Sequence, residues 1–98
     1  MFVHAVYFWL KKDLTAEKRA AFHQGVAMLK SVESADAVYI GAPAATHRPV
    51  VDRTYDVALV VLMNDLAAHE AYQVDPIHRA FVEQFASHWD KVVIYDSE

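Results

Sequence analysis

The segment 72–78 joins two side chains that could carry out acid–base chemistry, the phenol of Tyr72 and the imidazole of His78. Aspartate before proline is typical of a helix start, with Asp75 as the N-cap and Pro76 at the first helical position. His78 then lies in the first helical turn, where the positive end of the helix dipole disfavours an imidazolium. We therefore expect a neutral His78 that removes a proton beside a carbonyl, while Tyr72 donates a hydrogen bond to the oxygen that gains negative charge. The alternative is that His78 only satisfies backbone groups at a helix joint and Tyr72 only packs.

The other histidines give a weaker indication of chemistry. His4 lies on an otherwise apolar segment and is either a core histidine with one satisfied partner or a third member of the site. The remaining four are expected on polar helix faces or in a loop, and none has the i, i+4 spacing of a helical metal site: His23, His47, His69 and His88. No metal is predicted, and the absence of a Gly-rich phosphate loop predicts no nucleotide cofactor.

Composition excludes several classes of function. The 98 residues carry a net charge of −4 with scattered Lys and Arg, which is not the pattern of a nucleic-acid or anionic-membrane binder. The chain has no cysteine, so disulfides, thiolate nucleophiles and sulfur-ligated metals are excluded. Without an apolar run of ~18 residues or a charged leader, we expect neither a membrane span nor a signal peptide, and a cytoplasmic location by default. The length predicts one domain over residues 1–98.

Hydrophobic periodicity predicts the elements that position these side chains. Four strands are predicted over 2–10, 35–42, 54–63 and 91–96, with a polar loop over 43–53. Helices are predicted over 15–32, from a cap at Asn64 or Asp65 to about 74, and over 76–88. The order is βαββ, a split helix, then β, which predicts an α+β fold with a four-stranded antiparallel sheet of the ferredoxin-like type.

The first predicted strand is mostly apolar at both its odd and its even positions, so both of its faces must be kept from water. One face carries Phe2, Val6, Phe8 and Leu10, and the other carries Val3, Ala5, Tyr7 and Trp9. Helices can cover only one face of such a sheet, so a homodimer that stacks two sheets is the simplest cover, with ~800 Å² per partner buried. If His4 shares a site with Tyr72 and His78, its face must point at the helices. Val3, Tyr7 and Trp9 then form the dimer interface.

The chain resembles the stress-responsive A/B barrel domain family over nearly its whole length. The residues that carry the resemblance are His4 in the first strand, Tyr55-Asp56 at the opening of the third, Tyr72 with Pro76 and His78, and a last strand ending Val-Ile-Tyr-Asp96. The resemblance implies a homodimeric α+β barrel in which two sheets face each other and the helices lie outside.

Within this family the plant polyketide cyclase is a branch with understood, cofactor-free chemistry. The resemblance assigns its acid–base pair to Tyr72 and His78 and its first-strand pocket histidine to His4. Trp89 matches an aromatic position, whereas Val57 stands where the cyclase has a further pocket histidine and Val26 where it has a pocket tyrosine. Phe22 and Phe81 could line a small cavity or simply form core. The expected substrate-binding residues are His4, Phe22, Val57, Phe81 and Trp89.

Three functions remain open at this point. The first is a cofactor-independent enzyme or binding protein for a small hydrophobic carbonyl or polyketide-like compound. The second is a non-catalytic, stress-associated oligomer, favoured by the two-sided sheet. The third is an antibiotic-type or haem-degrading monooxygenase on the same barrel, although the chain lacks the first-strand asparagine and the tryptophan of the second helical region that the haem-degrading type carries.

Overall fold

The computed structural model describes all of residues 1–98. Its strands are β1 (Phe2–Leu10), β2 (Ala37–Gly41), β3 (Val57–Met63) and β4 (Trp89–Ser97), and its helices are α1 (Ala16–Met28), α2 (Leu66–Val74) and α3 (Pro76–Phe85). Single 3₁₀ turns follow α1 at Leu29–Ser31 and α3 at Ala86–His88. The chain therefore has the ferredoxin-like α+β fold that the periodicity predicts, and the second helical region is split at Asp75.

The four strands form one antiparallel sheet in the order β2-β3-β1-β4. The two longest ladders flank β1, which pairs with β3 on one side and β4 on the other. In this register His4 lies directly opposite Val61 on β3 and Asp96 on β4. Because side chains directly opposite one another share a face, the sheet itself brings the His4 imidazole and the Asp96 carboxylate together.

The helices pack against one face of the sheet, and alternate residues of β1 form the core beneath them. Phe2, His4, Val6, Phe8 and Leu10 are all buried, whereas the intervening residues are only half-buried. The predicted orientation of β1 is thus confirmed: the face that carries His4 points at the helices.

Side-chain caps fix the helix starts where the sequence predicts them. Thr15 accepts a hydrogen bond from the Lys18 backbone N–H (3.1 Å), and Asp65 accepts one from Ala68 (2.9 Å). Asp75 accepts from the Ile77 N–H at 2.8 Å and places Pro76 in the first helical turn. Since such caps contribute ~1 kcal/mol each, the break between α2 and α3 is encoded locally.

The strand bounds differ in detail from the predicted ones. β3 begins at Val57 rather than residue 54, because Asp52 accepts hydrogen bonds from the backbone N–H (2.8 Å) and hydroxyl (2.6 Å) of Thr54 and turns the chain there. β4 is longer than predicted because it pairs with nearly the whole of β1.

The second face of the sheet has no covering layer in the single chain. Tyr39 and Tyr95 are 64% and 67% exposed there, and the Lys91 ammonium lies 4.6 Å from the ring centroid of Trp9. A groove of about 380 Å³ runs over this face, lined by Tyr7, Trp9, Asp52, Tyr55, Lys91, Val93 and Tyr95. No helix of the chain combines the length and apolar character required to cross a lipid bilayer.

Candidate active site

A second cavity, of about 170 Å³, lies between the sheet and the helices α2 and α3. Its walls are mostly hydrophobic: His4, Val6, Phe8, Leu29, Leu59, Tyr72, Gln73, His78, Phe81, Val82, Trp89, Val92 and Ile94. A small apolar cavity with a few polar side chains is the usual form of a binding site for a small molecule.

Tyr72 and His78 meet at this cavity across the joint between α2 and α3. Their ring centroids lie 4.8 Å apart, and Tyr72 is only 1% exposed. The Nδ1 of His78 lies 3.2 Å from the carbonyl oxygen of Gln73. Because a carbonyl oxygen only accepts, Nδ1 carries the proton and Nε2 keeps its lone pair. The ring is therefore held in the tautomer of a proton acceptor.

The protonation states of this pair follow mainly from burial. Desolvation lowers the pKa of His78 below 6.5, against the opposing hydrogen bond to Gln73 and the charge of Asp75. The direction agrees with the expected neutral ring, but the leading cause is burial rather than the helix dipole. Burial also raises the pKa of the Tyr72 hydroxyl well above 10. Tyr72 thus stays protonated as a hydrogen-bond donor while His78 stays neutral.

His4 is the second imidazole of the cavity wall. It is 3% exposed, its ring centroid lies 5.5 Å from that of Tyr72, and its Nδ1 lies 2.6 Å from Oδ1 of Asp96. Burial lowers the pKa of His4, and the hydrogen bond and charge of Asp96 oppose that shift. A neutral His4 that donates Nδ1–H to the carboxylate keeps its Nε2 lone pair, as His78 does.

His69 lies beside His4, although the sequence predicts that it lies on a polar helix face. It lies one turn before Tyr72 on α2, and its ring stacks on Phe2 with centroids 4.5 Å apart and an interplanar angle of 21°. Its centroid lies 4.9 Å from that of His4, and its Nε2 lies 3.0 Å from Nε2 of Gln73. The three-residue spacing between His69 and Tyr72 was the available signal, because residues at i and i+3 share a helix face.

The structure brings five of the seven predicted site residues to the cavity: His4, Tyr72, His78, Phe81 and Trp89. Phe22 and Val57 lie elsewhere in the core, 0% and 1% exposed. The ring of Phe22 packs between those of Phe8, Phe81 and Phe85, with centroids 5.2 to 5.9 Å away. Val57 is opposite Phe8 at the start of β3 and is not part of the cavity wall.

One group of side chains has the composition of a metal site. His4, His69 and Asp96 each offer one ligand atom, and the three atoms lie within 4.8 Å of one another. They come from β1, α2 and β4. The spacing rule for a single helix, on which the prediction of no metal rests, does not detect such a set.

The chain is similar to one family of known proteins over nearly its whole length. The model of the Stress responsive A/B Barrel Domain matches residues 2–98. No curated protein matches the chain.

Among solved structures, a protein of Arabidopsis thaliana is 21% identical, with a TM-score of 0.83 over 100% of this chain and 94% of that chain. A hydroxynitrile lyase from Passiflora edulis is 16% identical, with a TM-score of 0.80 over 98% of this chain and 90% of that one. A dimeric ferredoxin-like protein of unknown function from Thermobifida fusca is 20% identical, with a TM-score of 0.79 over 98% and 88% of the two chains. These likenesses establish the fold.

Proposed function

Because the chain belongs to the stress-responsive A/B barrel domain family, we propose that it binds a small, largely apolar carbonyl compound and moves a proton on it without a cofactor. The observation that carries this proposal is the meeting of His4, Tyr72 and His78 at one apolar cavity. A volume of about 170 Å³ is below the usual ~300–1,000 Å³ of drug-sized pockets and suits a compact substrate.

In the proposed reaction His78 is the general base and Tyr72 the hydrogen-bond donor. The hydrogen bond from Nδ1 of His78 to Gln73 leaves Nε2 to take a proton from the carbon next to the carbonyl. Tyr72 donates to the carbonyl oxygen as negative charge builds on it. A positioned base contributes ~10²–10⁴-fold and an oxyanion donor ~10²–10³-fold in typical enzymes.

His4 and Trp89 would orient the substrate. Asp96 fixes the His4 tautomer through the 2.6 Å hydrogen bond, so that its free Nε2 can accept from a hydroxyl group of the ligand. The indole N–H of Trp89 is buried without a partner, which costs ~1–3 kcal/mol, and a rotation of the indole towards the cavity would let a ligand oxygen accept from it. Both features favour a ligand that carries oxygen atoms on an apolar skeleton.

Binding is tested by thermal shift with a panel of small aldehydes, ketones and hydroxynitriles, the last because a structural relative is named as a hydroxynitrile lyase. A compound at a hundred times its Kd should add ~2.7 kcal/mol of stability. Val92→Phe places a ring in the cavity and should abolish the shift. Val74→Phe adds the same ring at a position that is 56% exposed and should leave it intact. Equal shifts in both variants would place the ligand elsewhere.

A second candidate function is that of a non-catalytic oligomer, and the uncovered sheet face favours it. We propose a homodimer through the face that carries Val3, Tyr7 and Trp9, in line with structural neighbours that are described as dimeric. On this second reading the oligomer itself is the function, and no compound of the panel would bind or react at the cavity.

A further inference from the structure

Beside the cavity, the His69 imidazole and the Asp96 carboxylate lie close together without a hydrogen bond between them. Nε2 of His69 lies 3.9 Å from Oδ2 of Asp96, too far for a hydrogen bond. The Gln73 side chain already lies 3.0 Å from that nitrogen, and an amide N–H donated to it leaves Nε2 as an acceptor. Nε2 of His69 is therefore unprotonated and close to a carboxylate, so a cation that takes the place of the Gln73 N–H at its single lone pair could also be bound by Asp96.

The three side chains are held in place by separate elements. His4 and Asp96 are opposite one another on β1 and β4, and the ring of His69 is stacked on Phe2. The core side of the cluster is closed, because His4 is 3% exposed, whereas the Asp96 side chain is 38% exposed. The cluster is thus rigid on one side and open to solvent on the other, so an ion could enter past the carboxylate.

We propose that His4, His69 and Asp96 form a binding site for a divalent first-row transition metal ion such as Zn²⁺. Two imidazoles and one carboxylate suit these metals, and three protein ligands leave open positions for water or substrate. The ligand atoms lie within 4.8 Å of one another. For all three ligand atoms to lie ~2.0–2.2 Å from one ion, the 2.6 Å distance between His4 and Asp96 must lengthen slightly. The His69 ring must also move closer to the other two side chains.

Binding would move the His4 proton from one ring nitrogen to the other, with no net release of a proton. Nδ1 of His4 donates a hydrogen bond to Asp96 in the absence of metal, and a metal bond at Nδ1 requires this nitrogen to be unprotonated. Neutral imidazole then carries its proton on Nε2. His4 would thus change at the cavity from hydrogen-bond acceptor to hydrogen-bond donor. This last consequence rests on the proposed function, whereas the metal site does not.

The test is isothermal titration of tag-free, chelator-treated protein with ZnCl₂, with the visible absorption of added Co²⁺ as a second readout. We expect one ion per chain. His69→Gln and Asp96→Asn should each weaken binding by at least ~100-fold, since even outer-shell changes cost 10–100-fold. The controls His23→Ala and His88→Ala remove histidines outside the cluster and should leave the affinity unchanged.

Absence of saturable binding by the wild type would overturn the proposal, as would unchanged affinity in folded His69→Gln and Asp96→Asn. Circular dichroism verifies the fold of each variant, and neither altered side chain is fully buried, with 14% of His69 and 38% of Asp96 exposed. The titration contains no carbonyl compound, so its failure would leave the acid–base proposal standing. Conversely, a metal site could exist in a protein that turns over no panel compound.

Discussion

If two chains form a dimer through the uncovered sheet face, the substitution Val60→Asp should weaken that dimer by an amount that the structure allows us to calculate. Val60 lies in the middle of β3, opposite Ala5 on β1 and Tyr39 on β2, and its side chain points away from the helices. In a homodimer that stacks two sheets face to face, the substitution occurs once in each chain. The short Asp side chain cannot extend from the middle of the interface to its solvent-exposed edge. The charge would therefore be buried at the interface but hydrated in the free chain.

The cost follows from desolvation. Burying an ion costs several kcal/mol in real proteins, and ~3 kcal/mol for each of two carboxylates gives ~6 kcal/mol. At 1.4 kcal/mol per factor of ten, the dissociation constant should rise by ~10⁴-fold. The fold of the chain should survive, because Val60 is only half-buried in the single chain.

Sedimentation velocity over a range of concentrations measures this effect. We expect a wild-type dimer at micromolar concentration and a monomeric Val60→Asp with unchanged circular dichroism. Val50→Asp makes the same substitution at a loop position that is 80% exposed and should remain dimeric. A monomeric wild type, or a variant that dimerises as tightly as the wild type, would refute the stacked-sheet assembly.

Three further predictions concern the cavity and the core. The kcat/KM of the proposed reaction should fall as the pH drops through the lowered pKa of His78, so its acidic limb should lie below pH 6.5; a limb above 6.5 in a pH–rate profile would contradict a desolvated base. Tyr72→Phe should change the free energy of unfolding by less than ~1 kcal/mol because it keeps the buried ring, whereas Phe22→Ala should cost ~3–5 kcal/mol because it empties a fully packed position; urea denaturation separates the two. Gly25→Ala should destabilise by ~1–3 kcal/mol despite the higher helix propensity of alanine, since its Cβ would lie within 3 Å of the Phe85 ring; a higher Tm in a thermal melt would contradict this close approach of α1 and α3.

The local patterns of the sequence were sufficient to predict the elements that build the site. The direction of the His4 face follows only from the expected site shared with Tyr72 and His78. The strand period of β1 predicts which residues share that face with His4, and the dipeptide Asp75-Pro76 predicts the break that brings His78 near Tyr72. Both signals act within a few residues and carry their own physical cause, a strand period and a cap. They survive in the structure because packing does not oppose them.

The cluster of His69 and Asp96 could not be predicted in the same way. Asp96 meets His4 only through the register of β1 and β4, and His69 meets both only because α2 packs on β1 and β3. Phe22 illustrates the opposite failure, since its helical spacing is the same for a cavity wall and for packed core. Only the contact with Phe8 and Phe85 decides that it is core.

The proton transfer assigned to His78 is tested most directly by hydrogen–deuterium exchange at the carbon next to the carbonyl of a bound panel compound, followed by NMR in D₂O. Wild-type protein should accelerate this exchange over buffer, and His23→Ala, which alters an exposed histidine on α1, should match it. His78→Ala should lower the rate by at least ~100-fold while binding persists. Exchange that proceeds at the wild-type rate in His78→Ala would contradict the role of this imidazole as the base.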